Sequence, residues 1–352
     1  MNGTIRWGVL GAADIAVART MPAMLEAPSA TLHALASRNE AKGRAVANTL
    51  GIARLYTSYG ALLADPEIDA VYVPLPNQLH FEWAQRALQQ GKHVLCEKPL
   101  CISSTQVRQL CIERDRSGKH IEEGFAFRNH PQWAKVAQVI ADGTIGAVRA
   151  VHCTLAKQFL DPLDVRNQLN AGGGALYDLG SYAISACNLV MQRAPSKVVA
   201  AMDRDPVFGT DRLTTAMLDY GDCHATWSVG TQAGSNAWGT HQQFSVLGSE
   251  GWLRLNFGFA HARPTACQLE VGESSSVGAF PTNTYTFGPV NHYLLQIERF
   301  SQLLLGEPVA SWPIEDALNT VRTIEALFAS AHSGQWQALT SEPHFNEHKE
   351  IK

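Results

Sequence analysis

Short apolar runs alternate with helically spaced segments through the first third of the chain. Residues 5–10 read as a buried strand closed by Gly11, and residues 15–25 carry a helical apolar stripe. Pro28 and Ser29 punctuate before a second strand over 31–36. An alanine-rich, charged helix follows over 41–50 and ends at Gly51, with a short helix over 58–64 and a third strand over 69–74. Residues 79–90 predict a helix ended by Gly91, residues 93–96 a short strand, 103–117 a helix and 120–125 one more strand. Strand and helix alternating at this pitch predict β-α-β units and a parallel sheet.

The pattern changes near residue 125. A helical stripe over 133–142 ends at Gly143. From Ala147 onward strand patterns dominate, over 148–157, 197–202, 213–220, 224–230, 243–247 and 251–256. Gly221-Asp222 and Gly248-Ser249 fall between some of them as hairpin turns, so this part is expected to hold an antiparallel sheet. A glycine-rich turn at 172–174 precedes a helix over 175–191, and further helices are expected over 292–305 and 314–330. The charged tail after Trp336 is expected to fray. Two domains are expected, 1–125 and 126–340, with a late helix packing back on the first.

At 352 residues the chain is long enough for two domains with sizeable cores. A net charge of −4 without a run of like charges leaves no nucleic-acid footprint and no membrane-surface patch. No apolar window reaches the length that spans a bilayer, and the first residues lack the charged and apolar regions of an export signal. Seven irregularly spaced cysteines without a C-x-x-C pair read as reduced thiols, which fits a cytoplasmic protein. The histidines show no metal-ligand spacing, so no metal site is expected.

Five segments carry candidate chemistry. The turn G-A-A-D-I-A at 11–16 is a degenerate dinucleotide fingerprint, G-x-G-x-x-G/A, with Ala13 and Ala16 in the later glycine places. Gly11, Ala12, Ala13, Asp14 and Ile15 would bring backbone N–H groups and a helix start up to a pyrophosphate. Any tight strand-to-helix turn could share the pattern; its place after the first strand favours the dinucleotide. At the end of the second strand stand Ser37 and Arg38, with no carboxylate to hold ribose hydroxyls. They suit a 2′-phosphate, which favours NADP over NAD, although a solvated arginine at a loop start is the plainer reading.

The turn P-L-P-N-Q-L-H at 74–80 puts Leu75, Pro76, Asn77 and His80 at the end of the third strand, where ligands of doubly wound sheets sit. Asn77 equally suits a helix cap, and a lone histidine is more often structural. In C-E-K-P at 96–99, Lys98 lies just past a buried strand and needs a partner or a task. Glu97 could be that partner. The functional reading is a lysine at the cofactor's edge that holds a substrate oxygen and lowers a neighbour's pKa. In G-G-G-A-L-Y-D-L-G-S-Y at 172–182, Asp178 and Tyr182 are four apart and share a helical face. A phenol with a reference pKa of about 10 needs a nearby ammonium to serve as a base at neutral pH. Alone, such a pair also fits a hydrogen-bonded core.

Taken in order, G-x-x-G-A-A-D-I-A, Y-x-S-Y-x-x-L-L-x-D-P-E-I-D-A-V-Y-V-P-L-P-N-x-L-H and G-K-H-V-L-C-E-K-P resemble the Gfo/Idh/MocA oxidoreductases. F-R-N-H-P-Q, D-P-L-D-V-R, the 172–182 segment and F-S-V-L-G-S-E-G agree, so the resemblance covers nearly the whole chain. It implies a Rossmann domain, with a doubly wound parallel sheet, followed by an α/β domain built on a large open, mainly antiparallel sheet. That open face commonly forms a dimer interface, so a homodimer or homotetramer is implied. Lys98 matches the family's E-K-P lysine and Asp178 the aspartate of its helix motif. Tyr182 stands where many members carry histidine, as in the branch with glucose–fructose oxidoreductase, dihydrodiol and xylose dehydrogenases and keto-sugar reductases. Ala13, Asn129 and Leu75 depart from common family residues, which leaves the sugar open.

The expected chemistry is hydride transfer between NADP(H) and a sugar carbon. Tyr182 is the expected acid or base, helped by Lys98; Asp178 is expected to fix a neighbouring hydroxyl, and Arg166 to touch cofactor or substrate. Two other readings are a non-catalytic sensor on the same fold and a lyase or glycosidase that keeps NAD bound.

Overall fold

The computed structural model describes residues 3–233, 240–259, 266–273 and 280–339. A first sheet holds β1 (Ile5–Leu10), β2 (Ala30–Ala36), β3 (Arg54–Tyr56), β4 (Ala70–Val73), β5 (His93–Cys96) and β6 (Ile121–Glu123). Its order is β3-β2-β1-β4-β5-β6, and all neighbours are parallel. β3 was not expected, because three half-buried residues are too few to show a period. The strand order reverses between β1 and β4. The crevice outside their C-terminal ends is where such sheets take ligands.

Around this sheet run α1 (Met21–Glu26), α2 (Glu40–Leu50), α3 (Tyr59–Leu63), α4 (Asn77–Gln89) and α5 (Ser104–Ser117). Local chemistry sets several ends. The Asn39 side chain accepts from Lys42 N–H to start α2, Ser58 accepts from Ala61 N–H to start α3, and left-handed glycines 51 and 118 end α2 and α5.

The second part carries α6 (Pro131–Ala141), α7 (Ser181–Met191) and a nine-stranded sheet. Its strands are β7 (Val148–Ala156), β8 (Lys197–Arg204), β9 (Asp211–Asp219), β10 (His224–Gly230), β11 (His241–Gly248), β12 (Gly251–Leu255), β13 (Cys267–Glu273), β14 (Asn283–Phe287) and β15 (Gln337–Ala338). They run in the order β14-β13-β12-β11-β7-β10-β9-β8-β15, antiparallel except for β7 with β10. The expected turns at 221–222 and 248–249 join β9 to β10 and β11 to β12. β13, β14 and β15 were not anticipated. β15 pairs with the edge strand β8, so the start of the tail is held in the sheet; positions from 340 on lie outside the described residues.

Both functional helices begin with a widened turn. The helix expected over 15–25 is a π-helical turn, Ala16–Thr20, followed by α1, and the one over 175–191 opens with a π-helical turn, Leu176–Gly180. Such turns place an extra residue in the helix, which shifts the side chains after it and is frequent at functional sites.

The last helices, α8 (His292–Leu304) and α9 (Ile314–Ser333), both return to the first sheet. Phe300 of α8 packs with ring centroids 5.8 Å from buried Trp7 of β1, and Trp7 Nε1 donates to Ser301 Oγ at 3.0 Å. α9 buries Ile314, Ala317 and Val321 in the core of the first sheet, then Ile324 and Leu327 in that of the second. The second core lies on one face only, built from Val151, Leu155, Trp227, Phe244 and Val246 against α6 and α7. The opposite face shows His152, Thr215, Gln243 and Ser245. Among the described residues no helix is long and apolar enough to cross a membrane. Replacing Phe300→Ala is expected to remove about 3–5 kcal/mol of stability, read as a lower urea midpoint followed by tryptophan fluorescence, because the cavity left over Trp7 cannot close fully.

Candidate active site

The turn after β1 is pressed against the end of β4. Gly11 has φ +109°, donates its N–H to Ala36 O at 2.8 Å, and a side chain on it would come 3.0 Å from Leu75. Only glycine takes that conformation at low cost. Ala12 is buried, Ala13 half-buried, and Asp14 and Ile15 are exposed at the helix start. The end of β2 lies beside this turn. Ser37 is buried and its hydroxyl donates to Asn39 O at 2.7 Å. Arg38 is exposed, with its guanidinium 5.6 Å from the Tyr59 ring centroid, and no carboxylate pairs with it among the described residues. A glycine cradle that a side chain would fill, beside an unpaired guanidinium, fits a dinucleotide with an extra phosphate.

Deeper in the crevice, four side chains form one ionic array. Lys98, in the turn after β5, donates from Nζ to Asp178 Oδ1 at 2.7 Å and to Asp178 O at 2.8 Å. Arg166 Nε donates to Asp178 Oδ2 at 2.7 Å, and its Nη1 pairs with Asp164 at 3.2 Å. The Arg166 guanidinium also stacks 4.1 Å from the Phe159 centroid. The Lys98 and Asp178 side chains are only 10% and 12% exposed. Burial works against the Asp178 charge, but Arg166 and Lys98 overcome it and hold its carboxyl well below the usual carboxylate range.

Tyr182 closes the array. Lys98 Nζ lies 4.8 Å from its ring centroid, and Phe125 packs on the ring at 5.2 Å. Its hydroxyl makes no hydrogen bond among the described residues. Burial pushes the phenol well above its ordinary pKa, with Tyr293, Glu97 and Asp178 adding to the rise. This corrects the expectation that Lys98 turns Tyr182 toward phenolate. The ammonium lies over the ring face and gives two of its three N–H groups to Asp178. Each Asp178 oxygen accepts one bond, from Lys98 or Arg166, and keeps a second acceptor site.

Three further expectations change. Glu97 is not the partner of Lys98: it accepts from Tyr72 Oη at 2.6 Å and from Lys98 N at 3.2 Å, and Thr20 Oγ1 donates to Tyr72 Oη at 3.1 Å. Asn77 does not cap α4; its Nδ2 donates across to Gly172 O at 2.8 Å. His80 is fully buried, with Nδ1 2.8 Å from Pro99 O and Nε2 2.6 Å from Leu75 O, so it sits behind the cleft and not in it. Leu75 is buried and Pro76 half-buried at the cleft edge.

Other participants were invisible in the sequence. Asp211, from β9, accepts Leu176 N–H at 2.7 Å and Thr214 Oγ1 at 2.7 Å, and so caps the helix that carries Asp178. Burial pushes its carboxyl up to about 6. Gly174, at φ +114°, has no room for a side chain because Asp211 occupies it. Asp164 had a signal, two residues before Arg166 in the D-P-L-D-V-R segment.

A parallel sheet with a nucleotide-shaped turn, joined to a helix that presents a lysine-held aspartate and a tyrosine, defines a nucleotide-dependent oxidoreductase. The chain belongs to the Gfo/Idh/MocA family: residues 5–125 match its NAD-binding Rossmann-fold oxidoreductase model, and residues 133–254 match its C-terminal domain. It is 40% identical over 336 residues to an uncharacterized oxidoreductase of Rhizobium meliloti, covering 95% of this chain and 99% of the relative. It is 33% identical over 329 residues to an NADP(+) D-xylose 1-dehydrogenase of Haloferax volcanii, covering 93% and 98%. A 3-ketoreductase from Actinomadura kijaniata, solved with NADP and TDP-benzene, superposes with a TM-score of 0.85 at 29% identity over 93% of this chain and 98% of that one. Variants of that ketoreductase were solved at one lysine and one tyrosine, spaced as far apart as Lys98 and Tyr182.

The ionic array predicts an acid-sensitive loss of stability. A depressed native pKa means that the contribution of Asp178 is present above its unfolded pKa of about 4 and is lost as pH falls further. Asp178→Asn should therefore cost about 3 kcal/mol at neutral pH by urea unfolding, and the gap to the parent should shrink near pH 3.

Proposed function

We propose that this protein is an NADP(H)-dependent oxidoreductase that moves hydride between the nicotinamide and a carbinol or carbonyl carbon of a sugar or sugar derivative, as an aldose dehydrogenase or keto-sugar reductase. The observation that carries this is the Lys98–Asp178–Arg166 array set beside the unengaged Tyr182 hydroxyl at the C-terminal ends of a parallel sheet. The named relatives support it: a sugar dehydrogenase that uses NADP and a ketoreductase solved with NADP.

The dinucleotide would be held by Gly11, Ala12, Ala13, Asp14 and Ile15 at its pyrophosphate and by Ser37 and Arg38 at the 2′-phosphate, with Leu75, Pro76, Asn77 and Glu97 along the crevice. When bound, it supplies the hydride or accepts it. The protein supplies position and the proton. An ammonium has three N–H groups, and Lys98 spends two on Asp178, which leaves one for a substrate oxygen. Tyr182, kept protonated by burial, gives its proton to that oxygen in the reducing direction; the oxidising direction is the reverse step and starts from a Tyr182 that has first released its own proton. Asp178 and Arg166 act on Lys98 and keep its Nζ in place. His80 acts from behind the cleft and holds no cofactor group directly.

The sensor reading is disfavoured because Lys98, Asp178 and Tyr182 are all present and joined. The bound-NAD lyase reading is disfavoured by Arg38, which suits a cofactor that exchanges as NADP(H). All seven cysteines are free thiols, in keeping with a cytoplasmic enzyme. The open face of the nine-stranded sheet, where exposed Leu213, Met217 and Leu247 lie among hydroxyl side chains, suits a homodimer or homotetramer interface.

The test is a titration with NADPH and NADH by energy transfer from tryptophan, followed by a panel of aldoses and keto-sugars. NADPH should bind more tightly. Arg38→Ala should weaken it by about ten- to a hundredfold and leave NADH unchanged, the loss expected for one charge-assisted phosphate contact. Tyr182→Phe and Lys98→Ala should each lower kcat by about 10²–10⁴-fold with NADPH binding intact. Full turnover by either variant would overturn the roles assigned to them, and binding of neither nucleotide would overturn the whole reading.

A further inference from the structure

Two buried titratable side chains grip a single peptide unit beside Lys98. Pro99 O lies 2.8 Å from His80 Nδ1 on α4, and the N–H of the same peptide, on Leu100, donates to Glu123 Oε1 at 2.8 Å from the end of β6. The second His80 nitrogen lies 2.6 Å from Leu75 O, and because burial keeps the ring neutral its single N–H donates to one of these two carbonyls at a time. Gly124 N–H donates to Cys96 O at 2.6 Å, and β5 pairs with β6 at Cys96 and Glu123. The ends of three adjacent strands are thus stitched together at the residues that follow Lys98. Pro99 has no N–H of its own, so Leu100 carries the first backbone donor after the lysine.

Glu123 is 5% exposed, and its Oε2 is buried with no hydrogen-bond partner among the described residues. An unsatisfied buried carboxylate oxygen is costly, and backbone stitching alone does not need one. We propose that Glu123 is a positioning residue of the active site: with His80 it clamps the Pro99–Leu100 peptide and so sets the backbone from which Lys98 reaches Asp178 and the substrate oxygen. This rests on the role given to Lys98 above. The lysine is then held at both ends, at Nζ by Asp178 and at its main chain by the clamp. Neither Glu123 nor His80 touches the reacting atoms.

The groups that face Glu123 are Lys98 and Cys101 in the turn after β5, Cys96 of β5, Arg128 in the short turn before α6 and Asp316 of α9. Burial pushes its carboxyl up to about 7, partly offset by Arg128 and the Leu100 N–H. Above that pH the carboxylate holds Leu100 through a charge-assisted bond, and below it the bond weakens to a neutral one.

The test compares Glu123→Leu and Glu123→Gln with the parent. The first readout, independent of turnover, is amide hydrogen exchange over 98–101. The second is kcat and KM for a sugar substrate across pH, with NADPH affinity alongside. Glu123→Leu should speed exchange over 98–101 and lower kcat by about ten- to a hundredfold, with NADPH affinity unchanged. Glu123→Gln keeps an acceptor but does not titrate. It should fold, show at every pH the exchange that the parent shows below pH 7, and lose an inflection near pH 7 below which the parent's kcat falls. Parent-like exchange and kcat in Glu123→Leu would overturn the proposal. So would an unchanged pH profile in Glu123→Gln, or loss of kcat only in step with NADPH affinity and thermal stability. If the parent turned over no sugar, the functional reading would fail, while the exchange comparison would still decide the clamp.

Discussion

A single carboxylate, Asp178, sits largely out of water with a lysine on one oxygen and an arginine on the other. A charge in that position is tolerable only while both partners are in place, because an uncompensated buried ion costs several kcal/mol. Each partner comes from a different stretch of chain: Lys98 from the turn after β5, Arg166 from the loop after β7, Asp178 from the widened turn before α7. The array therefore ties the two sheets together through electrostatics.

The rest of the structure serves that arrangement. Asn77 reaches from the first sheet to the glycine turn at Gly172. Asp211 caps the helix that brings Asp178 and Tyr182 forward. Behind the cleft, α9 buries its first turns in one core and its later turns in the other, so the two halves share a rigid element. α8 seals Trp7 beneath the first sheet. With the scaffold fixed in this way, Lys98 and Tyr182 meet without either having to be locked by the other, and the phenol stays protonated and available.

The alternating pattern of the first third was enough to anticipate a parallel sheet, because strands buried on both faces are continuous apolar runs and their helices carry plain caps and glycine stops. The elements that escaped were short or at an edge. β3 has three residues, β15 two, and β13 and β14 lie toward one end of the second sheet, where neighbours decide pairing more than composition does. The widened turns at Ala16–Thr20 and Leu176–Gly180 were also hidden, since a π-helical turn is set by what its side chains must reach and leaves no period of its own.

At the site, the sequence by itself determined the inventory: a glycine turn, an arginine without a carboxylate after β2, and a lysine, an aspartate and a tyrosine in motifs of fixed local spacing. Local spacing says which side chains share a face. It does not say which charge will meet which, because partners far apart in sequence are chosen by the packing of whole elements. Only the tertiary structure decided that Lys98 pairs with Asp178 and not with adjacent Glu97, and that Asn77 bridges to Gly172 instead of capping its helix. It also turned His80 inward onto two backbone carbonyls. The same burial that makes each of these bonds strong raises the Tyr182 phenol, and burial is a property of the folded surroundings that no local motif contains.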